Sequence, residues 1–238
     1  MNWLPEGVST YSASIDTMFY VILAVTGVAF VLTESLLFYF AWRYRARAGV
    51  RATYTHGNSR LEMIWTVVPA VMLVFLGLSS KRVWGDIKGH IPPTDQEVTI
   101  VASQFDWEIH YKGTDGKFDT PDDIVIHNDM SLPVNQPVKI RLRSKDVIHS
   151  FFVPAFRLKQ DAVPGLTIEV WVQPTKTGTY EIACAELCGF GHGTMRGQLT
   201  VLEPDAFQKW LQEQQANVVP AEAPAGEAAP AATPPPAS

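Results

Sequence analysis

The stretch from Ile182 to Gly197 concentrates residue types that bind metals. It reads IACAELCGFGHGTMRG and holds both cysteines of the 238-residue chain, Cys184 and Cys188, followed by His192 and Met195. Thiolate, imidazole and thioether are ligands that soft copper prefers, whereas a zinc site has little use for a methionine. The alternative is a disulfide, because two cysteines in one loop can be bridged in an oxidising compartment.

A further candidate ligand, His149, lies well upstream in the segment DVIHSFFVP, after the alternating run PVKIRLRS. Cupredoxin copper sites on β-sandwiches combine His and Cys with a weakly bound Met, and they draw one His from a distant part of the sheet. A blue site with a single copper needs one Cys, so two thiolates in one loop suggest two metals that share sulfur. The pattern therefore favours a copper site on a β-sandwich, with the disulfide still open.

The elements that must position these residues begin with two apolar segments. Met18–Trp42 contains one charged residue, Glu34, and exceeds the ~20 residues that cross a bilayer. Ile64–Ser80 is uncharged, and its Pro69 is tolerable where neighbouring helices cover the freed carbonyl. We predict a transmembrane helical hairpin over 17–82. The alternatives are a signal peptide, which the long acidic opening of the chain disfavours, and a buried soluble helix.

A basic loop between the two segments indicates the orientation of the hairpin. Residues 43–60 contain no acid and five arginines, which are Arg43, Arg45, Arg47, Arg51 and Arg60. Loops rich in Lys and Arg stay on the cytoplasmic side of a membrane. The sequence therefore predicts a cytoplasmic loop, an extracytoplasmic N-terminal segment over 1–16, and both termini on the outer side.

The chain changes character after Gly85. Runs such as VKIRLR and TIEVWV alternate apolar and polar residues with the period of a half-buried strand. Several such runs, separated by Pro, Gly and Asp, predict a small all-β cupredoxin-like sandwich or barrel over 85–213. The Ala- and Pro-rich remainder, 214–238, is predicted to be disordered. A formal net charge of -5 argues against a nucleic-acid partner.

Four segments together carry a family resemblance: DVIHSFFVP, LKQDAVPG, CAELCGFGHGTM, and LEMIWTVVPA at the start of the second predicted helix. With the hairpin, they resemble subunit II of the haem-copper cytochrome c oxidases, and the pattern C-x-E-x-C-x-x-x-H-x-x-M is the most specific part. The resemblance implies a dinuclear copper A centre. The implied ligands are Cys184 and Cys188 for both ions, His149 and Met195 for one ion, and His192 with the backbone carbonyl of Glu186 for the other.

The resemblance also implies roles for two glutamates. The carboxylate of Glu186 would hold a magnesium ion shared with the catalytic subunit, which suits a hard oxygen ligand; the alternative is a solvated side chain. Glu62 matches a family position near the entrance of a proton pathway into the catalytic subunit, and an acid at a membrane boundary is a functional candidate. The alternative is an interfacial glutamate that balances Arg60.

Four residues lie at positions that the family uses for docking of the donor or for entry of electrons to the copper site. Asp146 and Asp161 correspond to acidic positions on the face where the donor docks, and acidic rims attract basic carriers. Where relatives have Q-W-x-W, this chain has QFDW, so Phe105 replaces the Trp at which electrons enter, while Trp107 is kept. The donor implied is cytochrome c or a cytochrome domain of another respiratory complex.

The function implied by the resemblance is that of an electron-transfer subunit in a membrane-bound haem-copper terminal oxidase. Its expected partners are catalytic subunit I, which reduces oxygen to water with proton translocation, the other oxidase subunits and membrane lipids. The implied location is a bacterial-type inner membrane, multi-pass, with the copper domain on the periplasmic side. One alternative is the copper A subunit of a related nitric oxide reductase. Another is a copper-free quinol oxidase subunit, which the complete ligand set disfavours.

Overall fold

Two long helices form the predicted hairpin. A computed structural model describes residues 4–89 and 91–218, in which α1 spans Ser12–Arg43 and α2 spans Ser59–Lys88. Both helices are long and apolar enough to cross a membrane. Asn58 caps α2 by accepting hydrogen bonds from the N–H groups of the first helical turn. Each helix extends past the predicted limits at 17 and 82, because its outer turns continue until they pack against the sandwich.

Ten strands follow the hairpin within the described residues. They are β1 (Glu97–Ser103), β2 (Asp106–Tyr111), β3 (Ile124–His127), β4 (Asp129–Pro133), β5 (Val138–Ser144), β6 (His149–Val153), β7 (Leu158–Ala162), β8 (Ile168–Val172), β9 (Gly178–Cys184) and β10 (Arg196–Leu202). They form two sheets, with strand orders β3-β2-β1-β5-β8 and β4-β10-β9-β6-β7. The core between the sheets is built from alternating side chains, such as Val98, Ile100 and Ala102 of β1. The predicted hairpin with an all-β sandwich is therefore confirmed.

A third helix lies beyond the last strand, where the sequence had suggested none. Helix α3 spans Pro204–Asn217 and buries Phe207, while the ring of Trp210 meets that of Tyr111 edge-on with a centroid distance of 5.1 Å. The helix includes residues 214–217, which the sequence assigns to a disordered tail, so that boundary moves to the end of α3. The rest of the predicted tail, 219–238, lies outside the described residues.

The N-terminal segment is part of the sandwich. The N–H of Val8 donates to the carbonyl of Ala155 at 2.8 Å, and the N–H of Thr10 donates to the carbonyl of Gln173 at 3.1 Å. Val8 and Tyr11 are buried in the common core. Of the predicted segment 1–16, residues 1–3 lie outside the described part, and α1 already begins at Ser12.

Two polar contacts fix the hairpin to the sandwich. The guanidinium of Arg157, between β6 and β7, binds the carboxylate of Asp16 in α1 through two hydrogen bonds of 2.6 and 2.9 Å. The indole N–H of Trp171 in β8 donates to the carbonyl of Ile87 near the end of α2 at 2.7 Å. A bidentate Arg–carboxylate pair fixes direction as well as distance. These contacts therefore define the position of the sandwich relative to the outer ends of the hairpin.

Candidate metal centre

Strand pairing brings His149 beside the cysteine loop. His149 is the first residue of β6 and Cys184 the last residue of β9, and these antiparallel neighbours place Phe151 opposite Cys184. The chain then loops through 185–195 and enters β10. The N–H of Cys184 donates to the carbonyl of Met195 at 3.1 Å, which closes the loop. Residues distant in sequence therefore meet at one end of the second sheet.

The sulfur of Cys184 lies among three other potential metal ligands. It is 4.0 Å from Nδ1 of His149, 3.3 Å from the backbone oxygen of Glu186 and 3.8 Å from the sulfur of Cys188. Two thiolates that share one metal, at metal–sulfur distances of about 2.3 Å, must lie within about 4.6 Å of each other. The spacing of the two sulfurs fits that limit.

The sulfur of Cys188 has its own pair of neighbours. Nδ1 of His192 lies 3.6 Å away and Sδ of Met195 lies 3.8 Å away. Cys188 is only 4% exposed, and Met195 is only 1% exposed. Every ligand atom that the resemblance implied therefore lies in one cluster of soft sulfur, imidazole nitrogen and one carbonyl oxygen, which is a ligand set suited to copper.

The two cysteines are free thiols in this structure. Their separation of 3.8 Å is well beyond the ~2.05 Å of a disulfide bond. Burial raises the pKa of the Cys188 thiol to about 11, and the neighbouring Cys184 acts in the same direction. The thiol therefore holds its proton near neutral pH, and a metal that binds there must displace it.

His149 is held from behind by Asp146. The imidazole is fully buried, and its Nε2 lies 2.8 Å from Oδ1 of Asp146, which leaves Nδ1 directed at the cysteines. Partial burial of Asp146 raises its pKa, but hydrogen bonds from His149 and from the N–H groups of Gln104 and Val147 outweigh this and lower the pKa overall. A carboxylate behind a metal-binding His fixes the ring and its tautomer.

The turn between β1 and β2 covers the loop that carries the cysteines. The backbone N–H of Gln104 donates to Asp146 at 2.7 Å, and its side-chain amide donates to the carbonyl of Cys188 at 2.5 Å. Phe105 lies against the glycines of the loop: a Cβ added at Gly191 would come within 2.5 Å of its ring. Phe105 is still 37% exposed. It is thus an aromatic side chain that touches both solvent and the metal-binding loop.

Trp107 closes the site from inside the sandwich. Its indole is fully buried, with its ring 6.2 Å from the ring of His149 and 5.6 Å from that of Phe151, both nearly edge-on. These contacts exclude water from the inner side of the cluster. Electrostatic interactions at the cluster are stronger for that reason, because the local dielectric is low.

Both parts of the chain, the hairpin and the sandwich, match known proteins. Residues 3–83 match the transmembrane domain of cytochrome c oxidase subunit II, and residues 101–201 match its periplasmic domain. The alternative cytochrome c oxidase subunit 2 of Bradyrhizobium diazoefficiens is 34% identical over 236 residues, which cover 89% of this chain and 83% of the relative. The chain belongs to the cytochrome c oxidase subunit II family.

Two further proteins are similar to this subunit II. Cytochrome c oxidase subunit 2 of Thermostichus vulcanus is 30% identical over 269 residues, covering 90% of this chain and 79% of the relative. The solved periplasmic domain of subunit II of cytochrome oxidase from Bradyrhizobium japonicum is 27% identical and covers 55% of this chain and 100% of that one, with a TM-score of 0.49.

Membership of the subunit II family establishes several of the predictions. The chain is the electron-transfer subunit of a haem-copper oxidase, and thus part of an oxidoreductase complex with a catalytic subunit I. Its fold is a membrane-anchored hairpin with a cupredoxin-like periplasmic domain, and copper binding follows from the family. The roles of individual residues rest on the geometry above.

The remaining candidate residues lie apart from the cluster. The side chain of Glu186 is exposed, while its backbone carbonyl faces Cys184. Asp161 lies on β7, with its carboxylate 3.3 Å from the ammonium of Lys159. Glu62 is exposed in the first turn of α2, at the opposite end of the helix from the sandwich. Their proposed roles require partners from outside the chain.

Two positioning residues were not predicted from the sequence. The sequence presents Gln104 only as part of the QFDW motif, and the family resemblance implies only a docking role for Asp146. The spacing of Asp146 and His149, three residues apart, is a signal that could have suggested their contact. The bond between Gln104 and the carbonyl of Cys188 joins two loops that are distant in sequence, so nothing local could have indicated it.

Exchange of Asp146 for asparagine separates a positioning role from a docking role. Asp146→Asn should weaken copper binding by about 10- to 100-fold, because the carboxylate behind a ligating His is lost. Asp161→Asn removes the same charge and should leave copper affinity unchanged. Competition with a copper chelator measures both. Equal copper affinity in the two variants would show that Asp146 does not orient His149.

Proposed function

We propose that this subunit II holds two copper ions between Cys184 and Cys188 and accepts electrons there from a c-type cytochrome. The observation that carries the proposal is the convergence of the six ligand atoms, with both sulfurs in the middle. His149 and Met195 complete one ion, and His192 with the carbonyl of Glu186 completes the other. Two coppers that share one electron's change of charge supply fast electron transfer with little change of geometry.

The surrounding residues keep the ligands in place for that task. Asp146 holds the ring of His149, and Gln104 holds the carbonyl of Cys188. Trp107 and Phe151 exclude water from the inner side of the site. A cluster whose ligands barely move on reduction needs such a rigid frame, because every displacement would add to the barrier for electron transfer.

Phe105 is the proposed point at which electrons enter. It is exposed on one side and in contact with the loop of Cys188 and His192 on the other. The carboxylates of Asp146 and Asp161, on the same half of the sandwich, would attract a basic donor and raise its association rate. The proposed donor is cytochrome c or a cytochrome domain of another respiratory complex.

Two further roles involve the catalytic subunit. The exposed carboxylate of Glu186 is proposed to bind a magnesium ion at the boundary with subunit I. Glu62 is proposed to lie at the entrance of a proton pathway at the other end of the hairpin. Exposure of both side chains supports these roles, since a partner subunit can reach them.

The proposed orientation places the basic loop 43–60 in the cytoplasm and the sandwich with both chain termini on the periplasmic side. Contacts of residues 8–12 with the sandwich support this, because the chain start and the sandwich must then share one side of the membrane. The inner membrane of a bacterium is the proposed location, and the other oxidase subunits and membrane lipids are proposed contacts.

The nitric oxide reductase alternative would use the same ligands, and only the reaction of the partner subunit separates the two. The experiment that tests the copper centre uses the full chain in detergent, prepared under reducing conditions and loaded with copper. Electron paramagnetic resonance and visible spectra should show a purple mixed-valence dinuclear centre. A colourless chain with a Cys184–Cys188 disulfide under those conditions would contradict the proposal.

Met195→Leu should keep both copper ions and raise their reduction potential. A weakly bound thioether affects the reduction potential of copper more than the copper affinity. Removal of an electron-donating ligand destabilises the more positive, oxidised state. Copper analysis and a spectroscopic redox titration measure the two quantities. Loss of all copper from this variant would show that Met195 is a holding ligand instead.

A further inference from the structure

Phe190 is the most exposed large apolar side chain in the described part of the chain. It is 109% exposed and lies in the metal-binding loop, two residues from Cys188 and two from His192. Among the described residues of the sandwich, seven large apolar side chains are exposed. Five of them, here called the apolar patch, belong to the three segments that meet at the cysteine loop: Phe105, Val147, Ile148, Leu187 and Phe190. Such a concentration of exposed apolar side chains is typical of a surface that a partner covers.

The backbone on both sides of Phe190 is ordered. The carbonyl of Gly189 accepts a hydrogen bond from the N–H of His192 at 3.1 Å. The ring of Phe105 lies against both flanking glycines: a Cβ added at Gly189 would come within 3.2 Å of that ring, and one added at Gly191 within 2.5 Å. Phe105 thus fills the space beside the loop, and Phe190 projects into solvent. A loop that is already ordered loses little backbone freedom when a partner covers it.

Carboxylates outnumber cations in the segments that carry the apolar patch. Residues 104–108, 145–148 and 185–195 contain one ammonium group, on Lys145, and four carboxylates, on Asp106, Glu108, Asp146 and Glu186. Protein interfaces commonly combine an apolar centre with a polar rim, and charges at the rim attract a partner of opposite sign. The surface around Phe190 therefore fits a partner that presents apolar side chains surrounded by basic ones.

The position of Phe190 indicates which partner covers it. Subunit II transfers electrons, and electron transfer slows steeply with distance, so the donor must approach the ligand cluster closely. Trp107 and Phe151 close the inner side of that cluster, whereas Phe105 and Phe190 lie on its exposed side. A protein that covers Phe190 therefore lies where the electron donor has to dock.

We propose that Phe190 is the apolar anchor of the donor complex and determines which c-type cytochrome this subunit accepts. Its ring contacts the apolar surface around the exposed haem edge of the donor, while the basic side chains of the donor face the carboxylates. Phe190 itself is neither oxidised nor reduced: one electron leaves the haem iron of the donor, which is oxidised, and enters the copper pair, which is reduced. The inference rests on the proposed function and adds to it a residue that sets donor preference.

Phe190→Ser in the purified oxidase complex should raise the KM for a basic soluble cytochrome c about 10-fold and leave kcat unchanged. Truncation of a central aromatic side chain weakens a protein complex by a factor of about this size. The ratio of the two KM values should be the same at low and high salt, because salt does not screen an apolar contact. The effect of Asp161→Asn should instead disappear at high salt, since exposed charges are screened.

Two further variants separate the anchor from a general effect of exposed apolar surface. Leu166→Ser is the matched control: Leu166 is 56% exposed and lies outside the three segments, so this variant should keep the KM of the parent. Phe190→Leu keeps an apolar side chain and should raise the KM less than Phe190→Ser. An equal rise of KM in Leu166→Ser and Phe190→Ser would overturn the inference.

Spectroscopy distinguishes failure of this inference from failure of the proposed function. The copper spectrum of Phe190→Ser, and its photoreduction by a soluble ruthenium complex, should equal those of the parent, because that donor has no protein surface to dock. A parent without the spectrum of a dinuclear copper centre would contradict the proposed function, and this inference with it. An intact spectrum with an unchanged KM in Phe190→Ser would overturn the inference alone.

A photoreactive side chain in place of Phe190 identifies the partner directly. In the oxidase complex mixed with the same cytochrome c, it should crosslink to the cytochrome. Crosslinks to another oxidase subunit or to a second copy of this chain, without any to the cytochrome, would overturn the inference.

Discussion

Replacement of Cys188 by serine should remove bound copper from the chain and abolish electron transfer through the oxidase. The sulfur of Cys188 lies 3.6 to 3.8 Å from three other ligand atoms, on His192, Met195 and Cys184. A hydroxyl is a poor ligand for soft copper, so the exchange should disrupt both halves of the proposed centre, in which this sulfur would be shared. Copper content, the visible spectrum and oxygen uptake by the complex measure the effect.

The matched control is Leu187→Ala, one residue earlier in the same loop. Leu187 is 79% exposed and is not one of the candidate ligands, so this variant should keep its copper and its spectrum. Thiol titration of the Cys188→Ser chain verifies that Cys184 is still reduced. A Cys188→Ser variant with a full complement of copper would refute the bridging role of this sulfur.

Phe207→Ala should lower the free energy of unfolding of the sandwich by about 3 to 5 kcal/mol, the usual cost of deleting a buried Phe side chain. Phe207 is 2% exposed and stacks on Trp210 at a centroid distance of 5.8 Å. Its removal leaves a cavity beneath α3. Chemical unfolding of the full chain in detergent, followed by near-ultraviolet circular dichroism, measures the change.

Lys209→Ala provides the comparison for the same helix. Lys209 is exposed, and its contact with Glu213, at 3.8 Å, is a surface pair, so the variant should stay within about 0.5 kcal/mol of the parent. If Phe207→Ala behaves like Lys209→Ala, α3 is not an integral part of the domain, and the sandwich ends near residue 203.

The cluster of candidate ligands could be predicted from the sequence because Cys, His and Met are residue types that bind soft metals. One segment contains four of them, Cys184, Cys188, His192 and Met195. Only His149 comes from a distant strand, β6. Alternating runs predicted β5 and β8 closely, since period-two burial is a local signal. The sequence could not give the pairing of β6 with β9, because strand register depends on contacts between distant segments.

Other features were missed for reasons that are equally physical. Helix α3 has three apolar residues at helical spacing, Phe207, Trp210 and Leu211, which is too short a pattern to stand out before a Pro- and Ala-rich tail. Its aromatic side chains pack against Tyr111, on a strand far away in sequence. The sequence of residues 8–12 contains no local signal for their contact with the sandwich either. The residues that they contact are distant in sequence and come together only when the sandwich has folded.

That N-terminal segment has a consequence for how the protein is made. The ribosome produces Val8 and Tyr11 first and the strands they cover last, with two membrane helices between them. In the proposed orientation, the sandwich can bury its full core only after the beginning of the chain has been carried across the bilayer to join it. A chain whose first helix inserts the wrong way round would leave that part of the core uncovered, so completion of the copper domain reports on correct insertion of the hairpin.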